Sequence, residues 1–135
     1  MADGLRLQVV TPQRRLVDVV VEEVQLPGAL GELGVLPGHT PLLTALGIGE
    51  LSYRGRGVEG TMVVAGGFAE VLADQVTVLA DLVEQPEEID LAAAGAQRAA
   101  AETAMKTARA EELDDLSAEV QLAQTRIAVA ERRQT

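Results

Sequence analysis

All five prolines and every glycine but Gly95 fall within the first 86 residues of this 135-residue chain. That asymmetry constrains the fold more than any other feature. Glycine and proline punctuate short extended segments and interrupt helices. The first part therefore reads as strands and turns. From Ile89 to Arg133 alanine dominates, proline is absent and helix propensity is high. The change falls at Glu84-Gln85-Pro86-Glu87-Glu88, where proline and acids favour a first helical turn. Two units are expected: a β domain over residues 1–84 and a helical unit over 85–135.

Within the first unit, Leu5, Leu7 and Val9 alternate with Arg6 and Gln8, the period of a half-buried strand. Thr11-Pro12-Gln13 breaks it. A β-branched run then extends from Leu16 to Leu26. Val17, Val19 and Val21 share one parity, Val24 and Leu26 the other. The frame shifts at Glu22-Glu23, which predicts a bulge or a bend from one sheet into another. Further strands are expected over Pro41–Leu46, Leu51–Tyr53, Thr61–Val64, Phe68–Leu72 and Val76–Ala80. Turns are expected at Gly47-Ile48-Gly49, Ala65-Gly66-Gly67 and Ala73-Asp74-Gln75. Short strands at such intervals point to an antiparallel sandwich or barrel and not to βαβ units.

Forty-odd helical residues are better accommodated as two helices folded into a hairpin than as one. Leu113, Leu116, Val120, Ala123, Ile127 and Ala130 recur at three- and four-residue steps, a seam for a second helix. Leu91, Ala94, Ala101, Met105 and Ala108 follow the same rule, interrupted by Arg98. The break between helices is expected between Ala108 and Asp115.

Aromatic residues make up 1% of the chain, as Tyr53 and Phe68, so the core must be aliphatic. The net charge of −10, with Lys106 as the sole lysine, argues against nucleic acid and against anionic lipid headgroups. No apolar run approaches the roughly 18–20 residues that cross a bilayer, and no signal peptide is expected at the N-terminus. Cysteine is absent, which removes disulfides and thiolate chemistry.

Gly55-x-Gly57-x-x-Gly60 matches the dinucleotide fingerprint as a string. That motif works only where its glycines lead into a helix N-terminus. Here Val- and Thr-bearing sequence follows, so a hairpin turn is expected. Lys106 lacks a P-loop context, and His39 has no Cys or His companion for a metal. Ser52 and Ser117 lack a nucleophile elbow. No catalytic residue, cofactor or metal site is expected, and the chain reads as an interaction protein.

The stretch Gly31-Glu32-Leu33-Gly34-Val35-Leu36-Pro37-Gly38-His39-Thr40-Pro41 reads as a defined loop with an apolar inner side. Loops held rigidly at a surface commonly carry recognition. It occurs in order with Val64-Ala65-Gly66-Gly67-Phe68-Ala69-Glu70-Val71 and Val76-Thr77-Val78-Leu79-Ala80-Asp81. Together these resemble the epsilon subunit of the F-type ATP synthase, whose loop signature is Gly-x-x-Gly-hydrophobic-x-Pro-Gly-His-x-Pro. The resemblance runs over nearly the whole chain.

It implies a β-sandwich followed by a two-helix hairpin. It also implies a place in the rotor, between the gamma subunit and the membrane-embedded ring of c subunits, on the cytoplasmic face of the inner membrane. By motif match, Glu32 and His39 are placed toward the polar loops of the c-ring. His39 has a competing role, bracing its own turn. The helices of this family can extend into the catalytic head of alpha and beta subunits and block ATP hydrolysis. Arg98, Lys106, Arg109, Arg126, Arg132 and Arg133 are the candidates to meet acidic segments there. Some members bind ATP through Ile/Leu-Asp-x-x-Arg-Ala. Here Ile89, Asp90 and Ala94 match, but Ala93 stands where the arginine belongs. Nucleotide sensing is therefore not expected, and Asp90 reads as a helix N-cap. The alternative is a free-standing sandwich whose helical tail oligomerises through Leu116, Val120 and Ile127, whereas the rotor reading implies a monomer when isolated.

Overall fold

The computed structural model describes residues 4–134. Eight strands come first: β1 (Leu5–Val10), β2 (Arg15–Val21), β3 (Glu23–Gly28), β4 (Gly31–Val35), β5 (Leu42–Ala45), β6 (Ile48–Gly55), β7 (Val58–Val71) and β8 (Gln75–Glu84). A single 3-10 turn over Pro86–Glu88 leads to α1 (Leu91–Met105) and α2 (Ala110–Gln134). The hydrogen-bonded order is β2-β1-β8-β7-β6-β3-β4, with β5 also on β7. Every pairing is antiparallel except β1 with β8, which is parallel.

The parity change predicted at Glu22-Glu23 is a bend between sheets. Before it, β2 pairs with β1 and buries Val17 and Val21. After it, β3 pairs with β4 and β6 and buries Val24 and Leu26. One residue out of frame thus lets the same chain face one core from two layers.

Three expectations need correction. Ala65-Gly66-Gly67 does not reverse the chain; it lies inside β7, which pairs with β6 as far as Ala65 and with β5 from Phe68. Gly66 and Gly67 have φ of +75° and +107°, and a Cβ on Gly67 would collide with the Leu79 carbonyl. The glycines bend a long strand from one layer into the other instead of ending it. The stretch Gly31–Pro41 is not loop throughout. Gly31–Val35 forms β4, because alternation tucks Leu33 and Val35 inward while glycine tolerates an extended edge. Gly47-Ile48-Gly49 is also mostly strand, since β6 begins at Ile48.

The core is aliphatic, as the composition requires. It joins Leu5, Leu7, Leu26, Leu51, Met62 and Val64 with smaller residues of every layer and includes no helical residue. The 55–60 glycines form the β6–β7 hairpin, where Gly55 pairs with Val58 and Gly57 has φ +68°.

Asp90 caps α1, accepting from the Ala93 amide at 3.0 Å. The helices break over residues 106–109, at the early edge of the expected window and with no Gly or Pro. Glu112 supplies the signal instead: its carboxylate accepts from the Arg109 amide at 3.2 Å, restraining the first turn of α2. The hairpin lies folded on the sandwich, with α2 against β6 and β7. Val63 alternates with the core residues Met62 and Val64, yet it is fully buried outside their cluster. It therefore lies on the outer face that α2 covers. On the helices Ala94, Ala101, Ala123 and Ala130 are buried as the seam predicts, and so is Val129, outside it. Leu113 is exposed; Leu116, Val120 and Ile127 are half-buried.

Candidate functional site

Glu32 lies at the start of β4 and His39 beyond its far end. Glu32 stands opposite Pro27 near the β3–β4 turn, with its side chain exposed beside the fully exposed Leu30. Extended backbone advances about 3.4 Å per residue, so His39, beyond the far end, belongs to a separate spot on the same edge. It closes a tight turn in which its amide donates to the Leu36 carbonyl at 3.2 Å. Gly38, at φ +88°, donates to the Ala73 carbonyl at 2.7 Å and ties this turn to the β7–β8 connection. The His39 ring is half-buried, with Nδ1 2.6 Å from the Thr40 carbonyl oxygen. A carbonyl oxygen only accepts, so that contact requires a proton on Nδ1. Bracing by His39 is thus part of the loop's architecture.

A face that the sequence reading did not single out lies beside this loop. Phe68, Leu79 and Leu43 are 57%, 56% and 71% exposed. Phe68 sits opposite both Ala45 and Leu79, and Leu79 sits opposite Val10 on the parallel side. Val10, Phe68 and Leu79 thus lie side by side on the outside of the β1-β8-β7-β5 layer, with Leu43 further along it opposite Glu70. A groove there is lined by Val10, Pro12, Phe68 and Leu79, with Asp81 at the rim. The signal was present in β8, where Val78-Leu79-Ala80 is apolar on both parities and one must therefore face outward. Exposed apolar residues placed side by side in this way are a candidate interaction surface.

The basic residues of the helices do not converge. Arg126 donates through Nε and Nη2 to the two carboxylate oxygens of Glu84, at 2.6 and 2.7 Å. This bond with Glu84 holds the guanidinium pKa above its ordinary value. Arg132 lies 3.0 Å from Glu50. Arg98 Nε is 3.3 Å from Glu102 but, buried, lacks the geometry of a hydrogen bond to it. Lys106 and Arg109 are exposed at the hairpin tip. The side chain of Arg133 lies outside the described residues.

Ile89, Asp90, Ala93 and Ala94 line a cleft of about 160 Å³ with Glu84, Glu88, Gln97 and Arg126. Small-molecule sites commonly need about 300 Å³ or more. Asp90 is engaged as a cap and Arg126 by Glu84. The residues present therefore do not fit a nucleotide in this arrangement. Among the described residues no group of three His, Cys, Asp or Glu is placed to hold a metal. No helix is long and apolar enough to cross a membrane.

A family model described as "ATP synthase, Delta/Epsilon chain, beta-sandwich domain" matches residues 4–86. The ATP synthase epsilon chain of Koribacter versatilis is 50% identical over 107 residues, covering 79% of this chain and 75% of that one. That of Solibacter usitatus is 48% identical over 138 residues, covering 98% of this chain and 100% of its own. A chain of the Euglena gracilis mitochondrial ATP synthase superposes with a TM-score of 0.82 at 21% identity, covering 93% of this chain and 80% of that one, a likeness of fold. The family match spans the sandwich and the Solibacter relative spans the helices as well; this chain belongs to the ATP synthase delta/epsilon chain family.

Proposed function

We propose that this chain is a non-catalytic subunit of the central stalk of an F-type ATP synthase, fixing gamma to the c-ring so that ring rotation turns the stalk. The carrying observation is the pairing of an apolar outer face with a tethered polar loop edge on one sandwich. The apolar face, centred on Phe68 and Leu79, suits a permanent protein partner, because lasting interfaces are richer in apolar area. Gamma is that partner. Glu32 and His39, with Leu30 beside the former, suit the polar loops of the ring. The net charge of −10 agrees with attachment through the ring on the cytoplasmic face of the inner membrane, not through lipid.

The hairpin is the regulatory part. Few fully buried side chains hold it to the sandwich: Val63 lies beneath α2 and Val129 is buried outside the helix–helix seam, and each buried methyl is worth only about 0.8 kcal/mol. In an extended form it would carry its basic residues to the alpha and beta subunits and brake hydrolysis. Lys106 and Arg109 are exposed at its tip; Arg126 and Arg132 must first leave Glu84 and Glu50.

Reconstitution tests both parts. Phe68→Glu should abolish binding to gamma while the protein stays folded, since Phe68 is outside the core. ATP hydrolysis by the assembled enzyme should rise when residues from Ile89 onward are removed. Unchanged gamma binding rejects the docking face, and unchanged hydrolysis rejects the brake. The oligomerising-tail reading is disfavoured because Leu116, Val120 and Ile127 are already half-buried within the folded chain. Sizing of the isolated chain should therefore give a monomer, and a dimer would restore that reading.

A further inference from the structure

Arg126 grips the sandwich and the first helix at once. Its Nε and Nη2 donate to both oxygens of Glu84, the last residue of β8, at 2.6 and 2.7 Å. Its Nη1 donates to Gln97 Oε1 on α1 at 2.9 Å. The side chains of Arg126 and Glu84 are 22% and 23% exposed, so salt screens this pair less than a surface pair. The apolar contacts around it are small, with Ala123, Val129 and Ala130 the buried residues of α2. Two further contacts tie α2 to β6. Gln121 donates to the Ile48 carbonyl, and Arg132 reaches Glu50 from a side chain that is mostly exposed.

We propose that Glu84, Arg126 and Gln97 form a clasp that sets how often the hairpin leaves the sandwich, independently of any nucleotide. A planar guanidinium meeting a carboxylate through two parallel bonds is both stronger and more directional than a neutral hydrogen bond. Lifting α2 from β6 and β7 must break that fork, because its two halves belong to different units. Separating α1 from α2 must break the arm to Gln97. One side chain therefore resists both movements that an extended hairpin requires. In the adjoining cleft Ala93 offers no side-chain donor that competes for Glu84, and Asp90 is already engaged by the Ala93 amide.

The proposal rests on the hairpin being movable, which the hydrolysis comparison tests in the assembled enzyme. The clasp is read separately, in the isolated full-length chain. The chain has no cysteine, so Gln13→Cys and Gln124→Cys, both exposed, can carry a pair of nitroxides. Pulsed electron–electron resonance should give one distance for the otherwise wild-type protein, unchanged by millimolar MgATP. Arg126→Met and Glu84→Gln should each raise a longer-distance population about tenfold, a factor worth ~1.4 kcal/mol. The swapped pair Glu84→Arg with Arg126→Glu should restore the single distance. Hydrogen exchange at Val64 and Val78 in the core reports whether the sandwich remains intact. Should an Arg126 variant lose that protection, Gln97→Ala, which removes only the arm to α1, should still raise the second population. An unchanged distribution in folded Arg126→Met, or in Gln97→Ala where Arg126→Met does not fold, overturns the clasp. A shift of the wild-type distribution by MgATP overturns its independence of nucleotide.

Discussion

Gly67 shows how one residue can decide where a strand goes. Its φ of +107° is outside the comfortable range of L residues, and the Leu79 carbonyl occupies the place a Cβ would take. Gly67→Ala should therefore cost about 2 kcal/mol or more, read as a lower urea midpoint with the slope unchanged. Equal midpoints would show that the bend tolerates a side chain. Glu88 governs a different property. Its carboxylate accepts from the Gln85 amide at 2.9 Å and from Arg14 at 3.0 and 3.1 Å, and its pKa is lowered, first by the Gln85 bond and then by Arg14. A carboxylate depressed in the folded state stabilises above its unfolded pKa, and that contribution fades as pH falls through the folded value. Glu88→Gln should therefore lower the melting temperature at neutral pH, with the difference from wild type closing well below pH ~4.3. A difference that persists undiminished in acid would remove the charge from the explanation.

At the scale of elements, the sheet pattern was legible wherever one face is buried and the other wet. β1 and the two halves of the β2–β3 run carry a readable alternation, and the bend at Glu22-Glu23 announced itself as a change of frame. The glycines misled where their role depends on neighbours: Gly66-Gly67 looks the same in sequence whether it reverses a chain or bends it. Which applies is set by β5, which takes over from β6 as the partner of β7. The docking face was hidden for a related reason, since an outward Leu79 is indistinguishable from a core leucine until the layers are assembled. His39 was legible as a special residue, and its own turn explains its geometry. The β elements also form a closed unit, because their core draws on no helical residue. A fragment ending at Glu88 should therefore unfold cooperatively in urea, although it uncovers the fully buried outer-face Val63 and frees Ile48, Glu50 and Glu84 of their contacts with α2. A broad, non-cooperative loss of structure in that fragment would mean that the sandwich needs α2 to cover that face.

For the whole molecule, the two units differ in the grain of their packing. The sandwich buries Leu5, Leu7, Leu26, Leu51 and Met62 completely, whereas the helices bury mainly alanine. Fully burying a large aliphatic side chain contributes about 1.5–3 kcal/mol, against ~0.8 for a methyl. Stability should therefore be unequal along the chain, with the hairpin drawn from its low end, as moving elements must be. Urea should first remove ellipticity at the helical minimum and only later change the fluorescence of Tyr53, the sole tyrosine, which packs against the sandwich core. The gap should narrow when docking of the hairpin on the sandwich is strengthened. It should widen when Glu84 or Arg126 is replaced, because docking is what links the two transitions. A single shared midpoint in every variant would mean that the chain folds as one cooperative block. Such a block would have no low-cost route to an extended hairpin, and the brake would have to work by some means other than release from the sandwich.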